Sequence, residues 1–207
     1  MLLWTLLSAF AVFAGSGSCA PSSSNAWDGL MVETDSGILY GFVNSSAPSV
    51  RQFLGIPFAL PPTGGRRWLP PSKLQSKASV TATNIGPACP QLLITSGFLN
   101  TSVFSPNGGN ITEAFPLETF SEDCLTLNVW TPRKQRKALP VFFWFFGGGF
   151  TQGGTSSQFF DPQSWVQRTR EHIMVTVNFR SNIFGFPNAS DLDDQNLGLL
   201  DQRLALE

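Results

Sequence analysis

The chain has 207 residues, a formal net charge of −1 and 42% hydrophobic residues. This length and apolar fraction suffice for one domain with a sizeable core. The even balance of acidic and basic side chains argues against nucleic acid or an anionic membrane as the main partner. The one dense basic run, residues 133–137, lies between two strand-like segments and is best explained as a solvated loop.

The first 14 residues are almost all apolar, and small residues follow up to Ala20. This pattern is typical of a secretory signal peptide. The apolar run is shorter than the roughly 20 residues that a membrane-spanning helix needs, which favours cleavage over a membrane anchor. We expect residues 1–20 to be removed, so that residues 21–207 form a secreted, extracellular chain without a transmembrane segment.

Removal of Cys19 with the signal peptide leaves Cys89 and Cys124. Two cysteines in an exported chain are most simply explained by a disulfide, although two buried free thiols are the alternative. Four Asn-x-Ser/Thr triplets agree with export and are candidate glycosylation sites, at Asn44, Asn100, Asn110 and Asn188.

Short strands are predicted in the first third of the chain. Residues 30–34 and 38–44 flank a turn-forming Asp-Ser-Gly, and residues 51–56 form a third strand. Prolines and glycines between residues 57 and 71 exclude a helix there. Residues 89–124 lack periodicity and predict a long loop held by the disulfide.

The second half of the chain alternates strands with helices. Residues 125–130 alternate apolar and polar side chains and predict a strand that Pro132 ends. Residues 139–146 are apolar without alternation, which is typical of a strand buried on both faces, as in a parallel sheet. Three consecutive glycines follow, Gly147, Gly148 and Gly149.

The glycines permit a backbone with positive φ whose N–H groups can approach another molecule closely. A strand that ends in exposed N–H donors is what an enzyme needs to hold an oxyanion. A flexible turn after a core strand is the alternative interpretation.

A helix is predicted from residue 164 to 171, with Asp161 as its N-cap and Pro162 in its first position. Residues 173–179 form the next apolar strand, which a helical crossover makes a parallel neighbour. Asn178 lies near its end, where open α/β sheets bind ligands. Residues 196–207 predict a helix capped by Asn196 that runs to the last residue, so we expect the sequence to stop inside a helix.

Four segments carry a resemblance to a known family: residues 53–59 (Phe-Leu-Gly-Ile-Pro-Phe-Ala), 121–130 (Ser-Glu-Asp-Cys-Leu-Thr-Leu-Asn-Val-Trp), 147–150 (Gly-Gly-Gly-Phe) and 196–203 (Asn-Leu-Gly-Leu-Leu-Asp-Gln-Arg). In this order and spacing the chain resembles the amino-terminal part of a type-B carboxylesterase. That family includes cholinesterases and many secreted fungal lipases.

The resemblance implies an α/β-hydrolase fold, in which small antiparallel strands lead into a mostly parallel central sheet. It also implies hydrolysis of small-molecule or lipid esters by a Ser-His-acid triad, without a cofactor or metal. By position, Cys89 and Cys124 match the first disulfide of the family. Gly148 and Gly149 match the glycines whose N–H groups supply most of the oxyanion hole. Arg67 and Glu122 match a structural ion pair.

The chain also departs from the family pattern. It contains no Gly-x-Ser-x-Gly, and in relatives this nucleophile motif lies beyond the point that corresponds to Glu207. We therefore expect a truncated domain that is inactive alone. Phe146 replaces a residue that is often Tyr or His. Ala114 and Phe115 stand about where a cholinesterase has its ammonium-binding Trp, so a choline site is not supported.

Two alternatives to an esterase stay open: a non-catalytic, cholinesterase-like adhesion module, and a truncated gene product without function.

Other candidate sites are weaker. The sole histidine, His172, is interpreted as a surface or edge residue rather than a catalytic base. Asp191, Asp193 and Asp194 lack the Gly and Glu of a calcium-binding EF-hand and predict a solvated acidic turn. The glycine run lacks the Lys of a phosphate-binding loop and the spacing of a dinucleotide fingerprint.

Overall fold

The computed structural model of the protein describes residues 29–75, 78–91, 119–134, 138–156 and 161–207. The expected signal peptide, the sequons at Asn100 and Asn110, and the positions Ala114 and Phe115 lie outside the described residues. None of the helices in the described ranges is long and apolar enough to cross a membrane.

A small sheet opens the described chain. Strands β1 (Met31–Thr34) and β2 (Gly37–Tyr40) form the predicted antiparallel hairpin, and β4 (Val80–Thr81) pairs in parallel with β2. The hydroxyl of Thr34 donates to the carbonyl oxygen of Gly37 (2.8 Å) across the turn. Residues within the turn itself therefore stabilise this hairpin.

The main sheet has four strands in the order β3, β5, β7, β6. Strand β5 (Thr126–Pro132) is antiparallel to both of its neighbours, β3 (Val50–Pro57) and β7 (Ile173–Val177), whereas β6 (Val141–Phe145) runs parallel to β7. Helix α1 (Gln163–Thr169) makes the predicted crossover between β6 and β7. This mixed sheet, in which antiparallel strands lead into a parallel pair, confirms the α/β-hydrolase class.

Strand β6 differs from its prediction. It lies at the end of the described sheet, and its first residues Val141 and Phe142 are 54% and 48% exposed. Burial on both faces was wrong for this part of the strand, because an apolar run becomes buried only where other elements cover it. Towards the glycines, Phe146 is buried and stacks on Phe179 with ring centroids 4.1 Å apart.

Three local predictions needed correction. A single 3-10 turn, Gly64–Arg66, forms where no helix was expected, because it needs only bonds such as that from the Arg66 N–H to the Thr63 oxygen. Helix α1 begins at Gln163, although Asp161 still accepts the Gln163 N–H (2.8 Å). Asn196 makes no side-chain cap to the last helix.

Two further helices follow β7, the short α2 (Asn182–Gly185) and α3 (Leu197–Ala205). The main core lies between the antiparallel strands and α1, where Val50, Leu54, Trp130, Val166 and Met174 are buried together with Ala47. A second cluster surrounds the cysteines. The second cluster lies at the end of the sheet from which the glycine segment emerges, because Leu125 comes directly before β5 and Leu127 of that strand pairs with Val177.

Candidate oxyanion site

The glycine loop, residues 147–154, begins directly after β6. Gly148 has φ +151°, and Gly149 and Phe150 follow at +60° and +61°. A Cβ on Gly148 would lie 1.8 Å from the carbonyl oxygen of Gln152, so no other residue fits there. A Cβ on Gly147 would meet no atom within 4 Å. The backbone conformation thus requires glycine at 148 for both φ and space.

Gly148 and Gly149 are exposed residues, and within the described residues neither N–H donates to another protein group. The carbonyl oxygen of Gly148, in contrast, accepts the Thr151 N–H (3.1 Å) and the Thr151 hydroxyl (2.9 Å). The loop therefore closes through its carbonyl oxygen and leaves two adjacent donors open. Such a pair can donate hydrogen bonds to an anionic oxygen.

Side chains from distant segments hold the loop in place. The Oε1 of Gln91 accepts the Gly153 N–H (2.6 Å), and its Nε2 donates to the Gly153 oxygen (2.7 Å). The Asn182 N–H donates to the Phe150 oxygen (2.6 Å), and the Asn182 Nδ2 donates to the Thr151 oxygen (3.4 Å). Sequence reasoning missed both Gln91 and Asn182, since nothing near either residue signals its partner.

Asn178 lies directly after β7, and its side chain is turned into the fold rather than towards solvent. Its side chain is buried, with Oδ1 accepting the Thr155 N–H (3.0 Å) and Nδ2 donating to the Pro87 oxygen (3.0 Å). Asn178 therefore anchors Thr155, the residue directly after the glycine loop, from inside the fold.

A second buried amide, Asn128, continues this network from β5. Its Nδ2 donates to the hydroxyls of Thr155 and Thr176, each at 3.0 Å, and its Oδ1 accepts the Gly55 N–H (2.8 Å). The side chain is fully buried, so these bonds offset the loss of water around the amide. The network joins β3, β5 and β7 to Thr155, the residue directly after the glycine loop.

Cys89 and Cys124 form a disulfide with their Cα atoms 5.1 Å apart, which confirms the predicted pairing. Both residues are buried beside Ala59 and Leu125.

Arg67 and Glu122 form the predicted ion pair through two hydrogen bonds. The Nε of Arg67 donates to Oε1 of Glu122, and the Nη2 of Arg67 donates to Oε2 (2.8 Å). The hydrogen bond from Arg67 lowers the pKa of Glu122.

A fully buried ion pair joins Arg180 to Asp201. Nε and Nη2 of Arg180 donate to the two carboxylate oxygens at 2.8 and 2.7 Å, and the Nη1 of Arg180 donates to the oxygens of Arg67 (2.9 Å) and Leu69 (3.0 Å). Burial raises the pKa of Asp201, and the bonds from Arg180 oppose that rise. Sequence reasoning missed the pair. The available signal was Asp201 on the same helical face as the apolar Leu197 and Ala205.

His172 is buried, so its interpretation as a surface residue was wrong. Its ring lies 4.4 Å from that of Trp165 and 5.2 Å from that of Phe142, and Nδ1 is 3.1 Å from the Thr169 hydroxyl. His172 precedes β7 while the glycines follow β6, and these parallel strands are in register. Five residues of strand, about 16 Å, therefore separate it from the candidate site.

The remaining candidates lie on the surface. Asn188 is exposed, whereas the Oδ1 of Asn44 accepts the Ser46 N–H (3.0 Å) in a local turn. The side chains of Asp191, Asp193 and Asp194 are exposed. Throughout the described ranges, no three His, Cys, Asp or Glu side chains converge as a metal-ligand set.

The sheet order, the crossover and the glycine turn after β6 define a partial α/β-hydrolase fold. The chain belongs to the carboxylesterase family, whose model matches residues 28–207. It is 45% identical to a chlorogenic acid esterase of Aspergillus niger, over 87% of this chain and 35% of that protein.

Two further relatives widen the comparison. The chain is 37% identical to secreted lipase 5 of Gibberella zeae over 86% of its length and 36% of that protein. It is 38% identical to an acetylcholinesterase of Bungarus fasciatus over 91% of its length and 31% of that protein. The chain thus spans about a third of the length of these relatives.

Proposed function

We propose that this chain supplies the oxyanion hole of a secreted carboxylic ester hydrolase, with the Ser-His-acid triad carried by the remaining two thirds of a protein of the relatives' length. The observation that carries the proposal is the glycine loop. Its residues Gly148 and Gly149 are exposed, their N–H groups are unpaired within the described structure, and they sit at the end of a parallel strand.

The proposed role of the glycine N–H groups follows from the position at which negative charge develops during ester hydrolysis. Attack on an ester carbonyl places negative charge on the former carbonyl oxygen. Donors about 3 Å from that oxygen each lower the barrier by a few kcal/mol, provided that they do not have to reorganise. The bonds from Gln91 to Gly153 and from Asn182 to Phe150 and Thr151 hold the loop in place before substrate arrives. Gly148 and Gly149 then stabilise the tetrahedral intermediate, and the residue after the nucleophile provides a third donor.

The substrate class is a small-molecule or lipid ester. Two relatives are named for esters or lipids, one a chlorogenic acid esterase and the other a secreted lipase. Chlorogenic acid and a triacylglycerol are therefore the two natural esters to compare. The loop presents the exposed ring of Phe150 beside the glycines, which agrees with an apolar or aromatic group on the substrate.

The test compares Gly148→Ala with Gly147→Ala in the full-length product of the gene, with p-nitrophenyl acetate as substrate. The added methyl at 148 collides with the Gln152 oxygen, whereas the methyl at 147 meets open space. We expect Gly148→Ala to lose about 10²- to 10³-fold in kcat and Gly147→Ala to stay within a few-fold of wild type. Labelling of the active-site serine by a fluorophosphonate shows whether the rest of the site is intact.

Full activity in a folded Gly148→Ala protein would contradict the oxyanion role. The 207-residue chain alone should neither hydrolyse the ester nor take up the label. Hydrolysis by the purified short chain that stops on serine labelling would contradict its inactivity.

We also propose that the chain is secreted, with its signal peptide removed. We expect the secreted protein to begin at Pro21 and to carry glycans at exposed sequons, including Asn188. Amino-terminal sequencing tests the first statement, and loss of mass on glycosidase treatment tests the second. A mature protein that retains Met1 would contradict the cleavage.

A further inference from the structure

Gln91 is placed where one side chain can control the glycine loop. Its amide makes a two-bond pair with the backbone of Gly153, accepting the N–H at 2.6 Å and donating to the carbonyl oxygen at 2.7 Å. The same Nε2 donates to the Cys89 oxygen (3.1 Å). Every polar atom of this side chain is therefore engaged with backbone, either in the loop or beside the disulfide.

Gly153 is the residue at which the loop closes. Its φ is +131°, and a Cβ there would lie 2.2 Å from the ring of Phe146 and 3.0 Å from the Gly147 oxygen. The backbone of Gly153 thus rests against the residues that lead into Gly148. A shift of Gly153 changes the closure of the whole loop.

The segment that carries Gln91 is anchored covalently. Cys89 is buried in the disulfide with Cys124. Asn182 ties the same segment to the loop a second time, because its Nδ2 donates to the Pro90 oxygen (2.9 Å) and its N–H donates to the Phe150 oxygen (2.6 Å). The disulfide-anchored segment and the glycine loop are therefore held together at two points.

We propose that Gln91 is a positioning residue for the oxyanion hole: its amide fixes Gly153 and so aims the N–H groups of Gly148 and Gly149. This inference rests on the proposed esterase function for its catalytic consequence, and on the geometry alone for its effect on the loop. Misplacement of catalytic groups by about 1 Å costs on the order of 10²-fold in rate.

The informative substitution is Gln91→Glu, because the glutamate side chain has nearly the same size and shape as that of glutamine. An ionised carboxylate can still accept the Gly153 N–H, but it places negative charge against the oxygens of Gly153 and Cys89. A protonated carboxyl restores the pair, because its O–H donates to the Gly153 oxygen while the other oxygen accepts the N–H. The defect should therefore appear at neutral pH and diminish as the pH falls towards the ordinary range of a glutamic acid.

Gln195 offers a matched control. Its amide makes the same pattern of bonds in another loop, accepting the Ala189 N–H (3.0 Å) and donating to the oxygens of Ala189 and Leu192. Gln195→Glu introduces the same charge into the same kind of pair. None of the bonds of this amide reaches the glycine loop.

Hydrogen exchange followed by mass spectrometry reads the loop directly, through the peptide that spans residues 146–154. At pH 7 we expect exchange in this peptide to be roughly tenfold faster in Gln91→Glu than in wild type. The ratio should approach one near pH 4.5. Gln195→Glu should leave this peptide unchanged at both values.

In the full-length protein, kcat of Gln91→Glu relative to wild type should fall roughly 10- to 100-fold at pH 7, with KM nearly constant, and should recover as the pH falls. Gln91→Met fills the space without either bond, and it should increase exchange at every pH.

Unchanged loop exchange in both variants would overturn the proposal, as would a defect in Gln91→Glu that does not depend on pH. If the full-length protein hydrolyses no ester, the proposed function fails, but the exchange result still decides the role of Gln91.

Discussion

Replacement of Asp201 by asparagine should destabilise the protein more than any other single change to a charged group described here. The carboxylate is fully buried on α3 and accepts three bonds, all from Arg180: the side-chain Nε and Nη2 and the backbone N–H (3.0 Å). Asparagine keeps the size of the side chain but removes the negative charge. It also turns an NH₂ group towards a donor.

The magnitude follows from the charge that is left behind. The side chain of Arg180 is only 2% exposed, and its remaining bonds go to the backbone oxygens of Arg67 and Leu69. A buried guanidinium without its anion costs about 3–5 kcal/mol of the free energy of unfolding. For a domain of this size, the free energy of unfolding falls by roughly 2 kcal/mol for each molar of urea. The urea concentration at the midpoint of unfolding should therefore fall by about 2 M in Asp201→Asn.

Urea unfolding monitored by tryptophan fluorescence is the assay, with Asp193→Asn as the control. Asp193 is an exposed carboxyl in the loop before α3, so its neutralisation should leave the midpoint within error of wild type. An unchanged midpoint for Asp201→Asn would refute the reasoning, because it would mean that Arg180 does not need its anion.

Three further predictions concern stability. Arg67 lowers the pKa of Glu122 in the folded state from its ordinary value of 4.5, so the pair stabilises the protein above about pH 4.5 and ceases to do so as the pH falls through the folded-state pKa. Glu122→Gln should therefore lower the melting temperature at pH 7 and lower it progressively less as the pH falls below 4.5, and an effect that does not change with pH would contradict this. Asn128→Ala leaves two buried hydroxyls and the half-buried Gly55 N–H without this partner and should cost about 3 kcal/mol in urea unfolding, whereas a loss below 1 kcal/mol would show that water replaces the amide. Reduction of Cys89–Cys124, which are separated by 35 positions, should cost about 3–4 kcal/mol, and an unchanged midpoint in reductant would exclude a stabilising disulfide.

Most elements could be predicted because their signals are local. The turn between β1 and β2, the alternation in β5 and the apolar runs of β6 and β7 lie within a few consecutive residues, and the structure places these strands within a few residues of the predictions. The observed ends of the elements differ from the predicted ends where backbone hydrogen bonds, rather than side chains, decide where an element begins or ends. Helix α1 begins one residue early for this reason.

The supports of the candidate site could not be predicted in the same way. Gln91 and Gly153 are 62 positions apart, and Asn128 and Thr155 are 27 apart. A polar side chain does not reveal which distant backbone group it will meet. Each of these pairings exists only because the fold brings segments that are distant in the sequence next to each other.

The sequence alone located the glycine loop, because three consecutive glycines after an apolar run are a local signal, whereas the structure showed that Gly148 needs a positive φ and a site without a Cβ. The sequence also predicted the cysteine pair and the family resemblance, since these depend on residue type and spacing. Only the tertiary structure decided that Asn178 and His172 are buried, that Val141 and Phe142 are exposed in the described chain, and that Arg180 pairs with Asp201. Burial and pairing depend on which elements pack against a residue, and that is a property of the whole fold.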